Sequence, residues 1–129
     1  DAGKKAGGVW QFKLLMLPEE NRLKSDSDFK KIFKYGKISE NELMRIKFLK
    51  NFKECSRFGF VVSNKFSPKA VVRNLFRRRL RVAAYFLLKN IKPGFDIVVW
   101  PKMTLKKNNY QALLDNFKNL LIKNDILFV

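Results

Sequence analysis

Apolar and polar positions alternate from Leu43 to Lys50: Met44, Ile46 and Phe48 fall on one face, Arg45 and Lys47 on the other, as in a half-buried strand. After the turn Asn51–Ser56, the run from Arg57 to Ser63 reads as a second strand, expected to pair antiparallel with the first. Gly59 within it marks a close approach. Phe95 to Trp100 reads as a fully buried strand closed by Pro101. Helical spacing marks three other stretches. Phe29, Ile32 and Phe33 share a face of a helix over 26–35, with Ser25 or Ser27 as cap, Asp26 and Asp28 in the first turn, and Gly36 as a left-handed stop. Val72, Phe76, Leu80, Ala83 and Leu87 form the stripe of a long helix from about 70 to 90, stopped by Lys92-Pro93-Gly94. Tyr110, Leu113, Leu114, Phe117, Leu120 and Leu121 form a third, core-facing stripe capped near Asn108 or Asn109, and the apolar end 126–129 is a candidate for edge pairing. The predicted fold class is α+β, a small mixed sheet in the order α-β-β-α-β-α. The strand–helix–strand unit over 57–100 requires parallel strands if both lie in one sheet.

A chain of 129 residues, 47% hydrophobic, supports one domain, residues 21–129. Residues 1–20 start Asp-Ala-Gly-Lys-Lys and read as an N-terminal arm or expression remnant. With no apolar run long enough for a bilayer span and a lone Cys55, the expectation is a cytoplasmic protein without membrane attachment or an obligate protein partner. The absence of histidine excludes histidine triads and the common zinc sites. The carboxylate pairs Asp26/Asp28, Glu19/Glu20 and Glu40/Glu42 sit where capping and solubility explain them, so no catalytic residue and no protein-bound metal is predicted.

Charge changes the picture. Lys and Arg exceed Asp and Glu by 28 to 11, a net +17, far beyond what solubility needs, and a polyanion is the matching partner. Arg73, Arg77 and Arg81 fall within one quadrant of the long helix, with Asn74 and Arg78 beside them and opposite the apolar stripe. Arg79 projects toward that stripe and is expected to snorkel out along its flank. Guanidinium forks bind phosphate in pairs and stack on bases, so the choice of Arg over Lys is what RNA or phosphate recognition would use. Ser63, Asn64, Lys65 and Lys69 precede the helix N-terminus, where free backbone N–H groups favour anions.

The stretches RFGFVVSNK and AVVRNLFRRRLR resemble the signature of the protein subunit of bacterial ribonuclease P, a strand followed by a helix with an Arg-Asn-Arg core. NRLKSDSDFKKIFKYGK at 21–37 is similar to that family's first helix and GFDIVVWPK at 94–102 to its later strand, so the resemblance spans about 21–123. It implies a subunit that is not itself catalytic: the RNA subunit cleaves precursor tRNA using Mg2+, while the protein binds that RNA and the 5′ leader. Carried over by motif position, Arg73, Asn74, Arg77, Arg78 and Arg81, with Lys65 and Lys69, would contact the RNA subunit. Phe29, Phe33, Lys47 or Phe48, Arg57 and Ser63 would line the leader cleft. The resemblance also implies a left-handed βαβ crossover. Leu75 stands at the second arginine of the core, Asn64 replaces a lysine, and 66–69 departs from the family's shorter turn. The alternative is a ribosomal or chaperone-like RNA-binding protein of similar fold with no role in tRNA processing. A stand-alone nuclease and a membrane-surface protein are the remaining classes. If the arginines serve RNA, removing Arg73 or Arg77 is expected to cost assembly more than folding.

Overall fold

The computed structural model describes residues 17–102 and 110–128. A 3-10 turn, Glu19–Asn21, leads into α1 (Asp26–Tyr35). Strands β1 (Lys37–Glu40), β2 (Met44–Lys50) and β3 (Arg57–Phe60) follow. Next come α2 (Ala70–Leu87) with a closing 3-10 turn at Leu88–Asn90, then β4 (Phe95–Pro101) and α3 (Tyr110–Lys123). The expected caps Asn108 and Asn109 and the arm's residues 1–16 lie outside the described residues. The arm's last part does not hang free: Leu17 is buried in the main core, and its carbonyl accepts from Arg22 Nε at 2.8 Å.

The four strands run in the order β1-β2-β4-β3. β3 and β4 are parallel and adjacent, joined through α2 as the crossover requires. The expected β2–β3 hairpin does not form. β4 lies between them, antiparallel to β2, and separates two strands that do run in opposite directions. The reason is burial. Asp96, Ile97, Val98 and Val99 are all inside, so β4 needs partners on both edges and cover on both faces. The loop between β2 and β3 accordingly straddles the start of β4, with Asn51 N donating to Gly94 O and Ser56 Oγ to Lys92 O. β1 went unpredicted because it has one apolar residue, Ile38, and that side chain is exposed. As an edge strand it needs no apolar face.

α2 and α3 cover one face of the sheet. Met44, Ile46, Phe58, Ile97 and Val99 meet Phe76, Leu80, Leu113, Phe117 and Leu121 there in the main core. Arg79, as expected, lies flat along its flank, its guanidinium 5.7 Å from the Phe76 ring centre. α1 alone covers the other face, over a smaller cluster of Leu23, Ile32 and Val98 with Phe29, Val61 and Trp100. Ser25 caps α1, its Oγ accepting from Ser27 N. Gly36 is not the left-handed stop expected of it: its backbone is extended at φ −71°. Space explains the glycine, because a Cβ would come within 2.6 Å of Ile32 O and 3.1 Å of Phe48 O. The apolar tail pairs with the segment after α2 and not with a sheet edge, as Lys92 N donates to Ile126 O and Phe128 N to Asn90 O.

Candidate RNA-binding surfaces

One helix cannot cover a four-stranded face, and the part α1 leaves open is a cleft of 620 Å³. Phe33, Ile38, Phe66, Trp100 and Pro101 give it apolar walls, while Arg45, Lys47, Lys65 and Lys102 surround them with positive charge. The Phe33 ring, 42% exposed, lies 5.7 Å from Trp100 and 6.2 Å from Phe29. Lys47 Nζ donates to Phe33 O, where a cation also meets the negative end of the α1 dipole. Glu40 is the carboxylate at this rim. The hydrogen bond and charge of Arg45, then Lys102, hold it below the usual carboxylate range. Flat rings beside cations can hold unstacked bases and their phosphates.

Of the residues expected in the cleft, Phe33, Lys47 and Ser63 line it. Phe29 packs behind Phe33 without lining the cleft, bordering a separate small hollow with Arg22 and Arg81, and its ring is seated over Gly59, where a Cβ would meet ring carbons at 2.6 Å. Gly59→Ala is therefore expected to cost about 1–3 kcal/mol and tilt the Phe29–Phe33 pair, read by chemical denaturation and aromatic NMR shifts. Two residues belong elsewhere. Phe48 points to the opposite face, against the main core and 6.3 Å from Phe95, because it alternates with Lys47 along β2. Arg57 is consumed as a brace: Nε and Nη2 donate to both oxygens of buried Asp96 at 2.8 and 2.7 Å, and Nη1 donates to Asp28 Oδ2 of α1 at 3.2 Å.

The second surface is the arginine face of α2. Arg78, Arg81 and Asn74 are exposed, as are Lys65 and Lys69 ahead of the helix. α2 begins without a side-chain cap and with no acid in its first turn, so its N-terminal N–H groups have no carboxylate partner there. Arg73 and Arg77 are half-buried and donate to backbone carbonyls, Arg73 Nη1 to Ser67 O at 3.0 Å and Arg77 Nη2 to Val62 O at 3.4 Å. These two arginines brace the 62–67 turn, so their removal touches folding as well as assembly. Ser63 O accepts from Phe66 N and Ser67 N, and Phe66 plugs into the core at 4.8 Å from Phe76, which sends Lys65 outward. Ser63, Lys65 and Phe66 also line the cleft, so this turn joins the two surfaces.

The chain matches the family model for Ribonuclease P over residues 17–125. It belongs to the ribonuclease P protein family. A ribonuclease P protein component from Pseudanabaena is 40% identical, covering 87% of this chain and 97% of its own length. One from Clostridioides difficile is 39% identical, over 81% and 91%. The ribonuclease P protein of Thermotoga maritima has a solved structure that superposes with a TM-score of 0.73 at 37% identity, covering 79% of this chain and 96% of that one.

Sequence reasoning missed several residues that this ribonuclease P protein brings to the two surfaces. Trp100 shares a face with Val98 by simple alternation, and Arg45 shares one with Lys47, so both were within reach of the strand pattern. Ile38, Lys102 and Phe66 arrive by tertiary placement. Arg22 extends the α2 surface. It lines a small hollow together with Arg81, and partial desolvation, then the charges of Arg77 and Arg22, lowers the pKa of Arg81 although its side chain reaches solvent.

Proposed function

We propose that this ribonuclease P protein grips the catalytic RNA through the exposed cations of α2 and its preceding turn, and receives the 5′ leader of precursor tRNA in the α1 cleft. The observation that carries this is the shared 62–67 turn: one rigid element presents Ser63 and Lys65 to the cleft and is braced from behind by Arg73 and Arg77. RNA bound on α2 thereby fixes where a leader enters. The protein is the non-catalytic component of an RNA-based endoribonuclease. Among the described residues no group of three or more His, Cys, Asp or Glu could hold a metal ion, and Asp28 and Asp96 are committed to Arg57. The Mg2+ of the reaction is held by RNA in this reading. No helix among the described residues is long and apolar enough to cross a membrane.

Reconstitution with a bacterial ribonuclease P RNA at low magnesium tests the proposal. Addition of the protein should stimulate precursor-tRNA cleavage, and protein alone should cut nothing. Phe33→Ala is expected to weaken binding of a precursor with a full leader about tenfold, the worth of one base stacked on a ring. It should leave affinity for mature tRNA and for the RNA subunit unchanged. An equal loss on substrates lacking the leader would remove the leader from the cleft. No observation favours the ribosomal or chaperone-like alternative.

A further inference from the structure

Phe33 and Ile38 line the cleft, while Tyr35 and Lys37, on either side of the same α1–β1 connection, line a second hollow of 310 Å³. Its floor is the edge-to-face pair Phe48 and Phe95. Its rim carries Tyr35, 62% exposed, and Phe52, 92% exposed. Lys37, Leu49 and Lys50 complete the lining with no carboxylate among them, and Lys34 Nζ lies 5.2 Å from the Tyr35 ring centre.

Phe52 has no role inside the fold. Its φ of 58° lies in the left-handed region that a side chain opposes, and its ring is left almost wholly in water. Yet the loop is firmly built. Asn51 Nδ2 donates to Asp96 Oδ1 at 2.8 Å and to Cys55 O at 3.1 Å, while Asn51 Oδ1 accepts from Lys53 N at 2.8 Å. A glycine would meet the same backbone demand without strain. A rigid loop that holds a phenyl ring outward at a conformational cost, beside a second exposed ring and flanking ammonium groups, has the makeup of a stacking platform.

We propose that the hollow between Tyr35 and Phe52 is a second site for unpaired RNA, separate from the cleft, in which bases stack on the two rim rings and Lys37 and Lys50 meet the flanking phosphates. Charge decides for RNA over an apolar protein segment, since the only charged groups in the lining are the ammonium groups of Lys37 and Lys50, with Lys34 beside the Tyr35 ring. The site does not depend on a leader occupying the cleft.

The test is binding of a short fluorescein-labelled oligouridylate to the full chain at low salt, read by anisotropy. Phe52→Gly should weaken binding about fivefold or more, the loss of one stacked base. The same variant should melt a few degrees higher, because glycine adopts the backbone angle freely. Tyr35→Ala should weaken binding as well. Phe33→Ala should act separately: each single variant leaves the other class of oligonucleotide site intact, and only the Phe33→Ala/Phe52→Gly double variant weakens both. Unchanged RNA affinity in Phe52→Gly overturns the proposal, and so does a lower melting temperature, which would make the ring structural. A Phe52→Gly effect confined to phosphatidylserine-containing vesicles, or to self-association in sedimentation, assigns the patch to a membrane or a second copy and overturns it equally. Failure of Phe33→Ala alone counts against the cleft and leaves this site standing.

Discussion

Raising monovalent salt from about 50 to 200 mM is expected to weaken this protein's hold on ribonuclease P RNA by about a thousandfold, the figure for roughly six phosphates neutralised. Each neutralised phosphate frees condensed counterions, and added salt opposes that release. The cations that supply the effect are those around α2: Arg78, Arg81, Lys65 and Lys69 exposed, with Arg73 and Arg77 half-buried beside them. Arg81 sharpens the test. Partial desolvation of this exposed side chain, then the neighbouring Arg77 and Arg22, lowers its pKa, so its charge does not favour folding, and its proposed role is to meet RNA. Arg81→Met should lower RNA affinity and reduce the salt slope by about one, with a melting temperature that stays level or rises. A flat salt dependence, or a variant that melts earlier and binds RNA as before, would show that α2 does not face the RNA.

Arg57→Met is expected to destabilise the fold by about 3 kcal/mol, measured by urea denaturation. The guanidinium ties three elements together, β3 through its own backbone, β4 through Asp96 and α1 through Asp28. Asp96 is only 6% exposed, so losing Arg57 strands a buried carboxylate with Asn51 as its remaining donor. The hydrogen bond from Arg57 to Asp96 also raises the Arg57 pKa, the sign of a stabilised charged form. Removing the charge along with its partner should cost less: Arg57→Met/Asp96→Asn is expected to recover much of the loss, since the neutral amide oxygen introduced on β4 would still accept from Asn51. Because α1 is one wall of the cleft, the single variant should also blunt leader binding, while contacts to the RNA subunit persist in whatever protein remains folded. A single variant as stable as the parent would return Arg57 to the RNA contacts.

How much was legible in the sequence depended on how local the signal was. α1 and α2 stand where their stripes placed them, and Phe33 and Lys47 reached the cleft by motif and alternation. Arg57 was misread because, in one dimension, a cation on a strand looks the same whether it faces RNA or a buried aspartate 39 residues away. Phe48 failed for a narrower reason: the family pattern allowed either of two neighbours, and a strand sends neighbours to opposite faces.

By itself, the sequence determined the local elements, the basic face of α2 and the need for a polyanion, because helix and strand periodicity and net charge are properties of near neighbours and of totals. The tertiary structure alone decided that β4 separates β2 from β3, that Arg73 and Arg77 brace a turn while Arg78 and Arg81 stay outside, and that α1 leaves a cleft beside it. Those outcomes depend on which surfaces compete for burial and which donors meet which carbonyls, and such competition is settled only when distant parts of the chain pack together.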